Sequence, residues 1–98
     1  MIRVVRRFVA KPGKERELIG VLKEIQAYGA TQGVNGRIFT EPFGLGGAVH
    51  IHNDFEDAGR AQSWWQTLST NPRAEEPLRR VQMLIEGHRV TSFLVKTS

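Results

Sequence analysis

The sequence predicts a small α+β domain whose elements follow the order β-α-β-β-α-(α)-β. Three observations carry this. Both ends of the chain, IRVVRRFVA at 2–10 and HRVTSFLVK at 88–96, are rich in β-branched and aromatic residues. Interior stretches repeat their apolar residues at helical spacing. Between the first two of these stretches stand two short extended segments joined by a glycine-rich run, PFGLGG.

The elements follow in order. Strand 2–10 ends at KPGK, residues 11–14, where Pro12 and Gly13 suit a turn. Leu18, Val21, Leu22, Ile25 and Tyr28 then share one helical face over roughly 14–30, and Gly29 and Gly33 mark its end. VNGRIFTE at 34–41 and AVHIHNDF at 48–55 read as a hairpin. Asp54, with Asp57 three residues on, is placed to cap a second helix over about 56–69. Ala58, Ala61, Trp65 and Leu68 form its stripe, so Trp65 is expected in the core. Trp64 is expected about 100° round the helix, edging the cavity, covering the interface or partly exposed, with core or interface favoured over ligand contact. Asn71-Pro72 starts a new helical turn and Pro77 is expected to interrupt it. Leu78, Val81, Leu84 and Ile85 then make a last short helix, stopped by Gly87 before the closing strand. This is the ferredoxin-like split βαβ order, an antiparallel four-stranded sheet with helices on one face.

Residues 1–98 are expected to form one domain. A 40% apolar, 24% charged composition is that of a globular protein, and no apolar run approaches the ~20 residues that span a bilayer. MIRVVRRFVAKPG mixes basic and apolar residues without a small-residue cleavage site, so no signal peptide is expected. The absence of cysteine excludes disulfides and suits a reducing cytoplasm. The net charge of +4 is dispersed, which argues for a solvated surface and against a specific nucleic-acid or membrane partner.

One sheet face needs a cover other than the helices. Centring the hairpin between Gly44 and Leu45 sets Phe39 opposite His50 and Arg37 opposite His52. Ile38, Thr40, Val49, Ile51 and Asn53 then lie under the helices, while Arg37, Phe39, Glu41, Ala48, His50 and His52 share the other face. In strand one, Ile2, Val4, Arg6 and Phe8 have one parity and Arg3, Val5, Arg7 and Val9 the other, so neither face is plainly polar. An exposed apolar patch on a sheet usually marks an interface. The economical cover is a second copy, giving a homodimer.

The strand–KPGK–helix opening, the glycine-rich hairpin, DFEDAGRAQSWWQTLSTNP and LIEGHRVTSFLVK together resemble the dimeric α+β barrel superfamily. The nearest-looking members are antibiotic-biosynthesis monooxygenase-like and NIPSNAP-like domains. The resemblance covers essentially the whole chain and implies a homodimer whose two sheets form a barrel, with a cavity in each subunit between sheet and helices or barrel wall. It also implies possible chemistries, among them cofactor-independent oxygenation of polyphenolic or quinol substrates, haem degradation and isomerisation. Haem-degrading relatives carry a catalytic asparagine in strand one, a tryptophan on the second helix and a histidine about ten residues later. Here the first is Arg6 and residues 74–75 are Ala-Glu, so haem degradation is not expected.

His50 and His52 are the candidate bases, because an imidazole titrates near 6.5 and suits proton abstraction at neutral pH. The same pair would need a third ligand to hold a metal, for which Glu41 is nearest, and no metal or other cofactor is expected. Arg6 and Arg37 are candidate stabilisers of a substrate anion, since a guanidinium presents its donors in a fixed fork. Phe39, Glu41 and Trp64 are candidate contacts to a small hydrophobic or aromatic ligand. PFGLGG lacks the lysine and following helix of a phosphate loop and reads as a lid. The expected function is therefore a small-molecule monooxygenase or isomerase acting on an aromatic or polyketide-like substrate. The alternative is a non-catalytic, ligand-binding or stress-related homodimer. An RNA-binding module is disfavoured, because AVHIHNDF offers no aromatic before Phe55 for base stacking.

Overall fold

The computed structural model describes residues 1–41 and 48–96, with the backbone alone for 87–96. The elements are β1 (Ile2–Ala10), α1 (Glu15–Thr31), β2 (Gly36–Thr40), β3 (Ala48–Phe55), α2 (Ala58–Thr70), α3 (Pro72–Leu84) and β4 (Ile85–Lys96). The sheet has the order β2-β3-β1-β4 and every pairing is antiparallel. This is the expected α+β, ferredoxin-like arrangement. The loop proposed as a lid lies outside the described residues.

Helix α1 begins with Glu15 and Glu17 in its first turn, where carboxylates complement the helix dipole. Its end is a Schellman motif: Val34 N–H donates to the Gly29 carbonyl at 2.8 Å and Gly33 N–H to that of Ala30 at 3.2 Å. Gly33 takes the left-handed φ of 77° that this closure requires. Helix α2 is capped by Asp57, whose carboxylate accepts the Arg60 N–H at 2.9 Å, and not by Asp54 as the spacing suggests. Asp54 is still in β3, where Arg3 holds it.

Two further expectations are corrected. Pro77 does not break the last helix, which runs unbroken from Pro72 to Leu84. The carbonyl of Arg73, deprived of its donor by the proline, belongs to an exposed residue. The apolar stripe Ala74, Val81, Leu84 stays buried, and that packing outweighs the lost bond. The strand then follows directly at Ile85. Trp65, expected in the core, is 49% exposed, and Trp64 is the buried one of the pair at 6%. Trp64 fills the space beside Tyr28, their ring centroids 5.9 Å apart.

The core forms between the helices and one sheet face. Leu18 and Leu22 of α1 meet Phe8, Val49 and Ile51 of the sheet together with Val81 and Leu84 of α3. A second cluster gathers Phe55, Trp64, Leu68 and Ala74. The side chains of alternate parity on β1 and β3 are therefore left on a face that no helix covers.

A charged and aromatic open face as candidate site

The hairpin register is the one the sequence suggests: Arg37 pairs with His52 and Phe39 with His50. On the other side β3 pairs with β1, setting Arg7 opposite His50, Val5 opposite His52 and Arg3 opposite Asp54. Period-two alternation puts Arg3, Val5, Arg7, Arg37, Phe39, His50, His52 and Asp54 on the open face.

Two ion pairs organise it. Arg7 grips Glu41 through Nε at 2.7 Å and Nη2 at 3.3 Å, and His50 Nε2 lies 2.5 Å from the same carboxylate oxygen, Oε1. Arg3 grips Asp54 similarly, at 2.8 and 3.1 Å. Such two-point bonds fix direction as well as distance. The hydrogen bonds from Arg7, and then from His50, hold the Glu41 carboxyl down at about 2. Arg3 likewise depresses Asp54. With Glu41 ionised, His50 donates from Nε2, so this imidazole is anchored as a donor.

His52 stands between the two clusters. Its ring packs against Phe39 with centroids 4.5 Å apart and lies 6.3 Å from the His50 ring. Burial lowers its pKa below the usual histidine value, and the positive charge of Arg3 lowers it further. It is thus a neutral imidazole at pH 7, with a lone pair free to accept a proton. A hollow of about 520 Å³ opens beside it, lined by Arg3, Asn35, Gly36, Arg37, Phe39, His52 and Asp54. Gly36 belongs there for a steric reason. A Cβ at this position would meet Asn53 Nδ2 at 2.5 Å and Gln26 Nε2 at 2.6 Å.

The structure therefore brings together His50, His52, Arg37, Phe39 and Glu41. It separates two other candidates from them. Arg6 pairs with Ile51, so it points to the helix side of the sheet, where its guanidinium lies 3.8 Å from the centroid of a Trp65 ring. Trp64 is in the core and borders a different hollow of about 500 Å³, with Phe55, Arg60 and Ser63. Glu41 is bonded to Arg7 and His50, and among the described residues no three His, Asp or Glu side chains are grouped to hold a metal ion. Arg3, Arg7 and Asp54 were missed as site residues. Register would have found them, once the parity of strand one was fixed by Val4 and Phe8 packing inward.

The open side carries arginines, histidines and an aromatic ring; the antiparallel sheet with helices on its other side is the ferredoxin-like class of α+β fold. Solved structures share it over nearly their whole length. An uncharacterised NIPSNAP domain protein from Burkholderia xenovorans superposes with a TM-score of 0.84 at 17% identity, covering 100% of this chain and 95% of that one. A NIPSNAP family protein from Agrobacterium tumefaciens gives 0.82 at 17%, covering 99% and 92%. An antibiotic biosynthesis monooxygenase gives 0.76 at 12%, covering 100% and 99%. At these identities the likeness is one of fold. No family model matches the sequence. No curated protein was found to be similar to it. Among the described residues no helix is long and apolar enough to cross a membrane.

Proposed function

We propose that two copies of this chain close their open faces on each other, and that the enclosed hollow is the active site of a cofactor-independent monooxygenase. Its substrate is a small phenolic or enolisable aromatic compound. The observation that carries this reading is His52, a neutral imidazole beside the aromatic wall of Phe39 and the cation of Arg37. A base, an aromatic contact and an anion-stabilising guanidinium within one hollow suit proton abstraction from such a molecule.

His52 takes a proton from the activated C–H, and Arg37 stabilises the resulting anion. The anion gives one electron to dioxygen, and the radical and superoxide join in a C–O bond. Loss of the second C–H proton and cleavage of the O–O bond release water and leave a carbonyl. A CH2 group and O2 thus become C=O and H2O. Closure of the second copy supplies the dry surroundings in which fixed charges act strongly. The Arg7–Glu41–His50 cluster fixes the His50 ring beside His52. A cysteine-free chain suits a reducing compartment, and the cytoplasm is the proposed setting.

The test is oxygen uptake with a panel of polyphenols and quinols whose keto tautomers offer a ring CH2 group, comparing the native chain with His52→Ala. A general base contributes on the order of 10²–10⁴-fold, so the variant should lose that much in kcat. Equal uptake by both proteins would remove His52 from the chemistry. Binding without uptake by the native chain would favour a ligand-carrying role.

A further inference from the structure

The charges around the hollow beside His52 decide what it can hold. Arg3 and Arg37 line it with two positive charges, Asp54 with one negative, and His52 is neutral at pH 7. One positive charge is therefore in excess. The two guanidiniums are not equivalent. Arg3 commits both arms of its fork to Asp54, through Nε at 2.8 Å and Nη2 at 3.1 Å. Arg37 stands directly across the strand pair from His52, and among the described residues its guanidinium makes no hydrogen bond and no ion pair. It reaches Asp54 only through its field, which helps to keep that carboxyl ionised.

A guanidinium fork without a partner matches a planar group with two oxygens. One charge in excess suits a carboxylate better than a doubly charged phosphate, which Asp54 would repel. Phe39 packs on His52 with ring centroids 4.5 Å apart and gives an aromatic body a surface to lie on. Opposed side chains on one sheet face stand roughly 5 Å apart at Cβ, so a molecule held by Arg37 is within reach of the His52 imidazole. A guanidinium carries more N–H donors than one carboxylate uses, so the oxyanion that forms beside it can share the same group. The proton taken by His52 stays in the hollow, and the charge balance is the same before and after the step.

We infer that the hollow takes aromatic substrates that carry a carboxylate, and that Arg37 is the residue that selects them. This rests on the reading of His52 as a base, and narrows the molecules on which it acts.

Anaerobic calorimetric titration of the full chain tests it, at pH 7 and constant ionic strength, with 2,5-dihydroxybenzoate and its methyl ester. The two share the ring and differ by a single charge. The acid should bind roughly tenfold more tightly than the ester, as a charge-assisted bond implies. Arg37→Gln should reduce the acid to the affinity of the ester. Arg37→Lys, which keeps the charge but loses the fork, should lose part of the preference. Arg79→Gln removes the same charge from α3 and should leave the preference intact. Should Arg37→Gln fail to fold, Arg37→Lys carries the test. The inference is overturned if the acid does not bind, or binds the native chain no better than the ester. It is equally overturned by a preference that survives in both Arg37 variants, or by an equal loss in Arg79→Gln. The oxygenase reading fails separately. Preference for the acid without oxygen uptake from the wider panel removes the oxygenase and keeps the selectivity, and uptake without preference does the reverse.

Discussion

Replacing each of the adjacent tryptophans with alanine separates two readings of helix α2. Trp64 is 6% exposed, packs on Tyr28 at 5.9 Å and shares a buried cluster with Phe55, Leu68 and Ala74. Its ring also lies against bare backbone: a Cβ added to Gly29 would come 3.2 Å from Trp64 Cζ2. Helix α1 thus presents no side chain at Gly29 that could move into the vacated space, and the cavity should persist. Removing a buried tryptophan costs about 3–5 kcal/mol, and limited collapse favours the upper part of that range. For a domain of this size that is a fall of about 12–40 °C in Tm, at ~4–8 °C per kcal/mol. Trp65, half exposed, gives up a cation–π contact worth about 0.5–1 kcal/mol, so loss of that contact in Trp65→Ala should lower Tm by about 2–8 °C. Thermal unfolding followed by circular dichroism reads both. Should Trp64→Ala not fold, Trp64→Phe should show a smaller loss that still exceeds that of Trp65→Phe. A larger loss at Trp65 than at Trp64 would refute the packing described here.

Other outcomes follow from the open face. His52 should titrate below 6.5 by NMR, and Arg3→Gln should move it upward, since this removes a positive charge and releases Asp54 from its ion pair. Because the folded-state value of His52 lies below the unfolded one, its linkage contribution is unchanged above about pH 6.5 and destabilising as pH falls below it. His52→Gln should flatten that part of the stability profile in urea unfolding. Glu41 is depressed to about 2, so its contribution is present above its ordinary value near 4.5 and lost as pH falls toward 2. The urea midpoint should drop between pH 5 and pH 3 in the native chain and drop less in Glu41→Gln. Phe39, 44% exposed on the open face, should become an obstacle to self-association when changed to aspartate, which sedimentation velocity would register as a shift to monomer.

What the residues disclosed on their own was local. Hairpin register was legible because AVHIHNDF alternates strictly and its partner strand offers Ile38 and Phe39 at opposite parities. The end of α1 was legible through Gly29 and Gly33. The tryptophans were not, since Trp64 and Trp65 both stand within a helical turn of Ala61 and Leu68. The choice between them rests on Tyr28 and Gly29, which belong to another helix. Arg6 and Arg7 were ambiguous for a similar reason. Each strand-one parity carries apolar residues, and only the packing of Val4 and Phe8 against the helices turns Arg7 toward Glu41 and Arg6 toward Trp65. Pro77 misled because local propensity says break, while the burial of Val81 and Leu84 keeps the helix whole.

We propose above that the open face is the inside of a two-copy, ligand-holding barrel. Native mass spectrometry of freshly purified, untagged protein tests it most directly, reporting subunit number and retained small molecules together. The expected result is a dimer that carries an organic molecule, or takes up an added polyphenol, and loses it in His52→Ala combined with Arg37→Gln. A monomer at micromolar concentration, or a dimer whose ligand is unaffected by those substitutions, would contradict it.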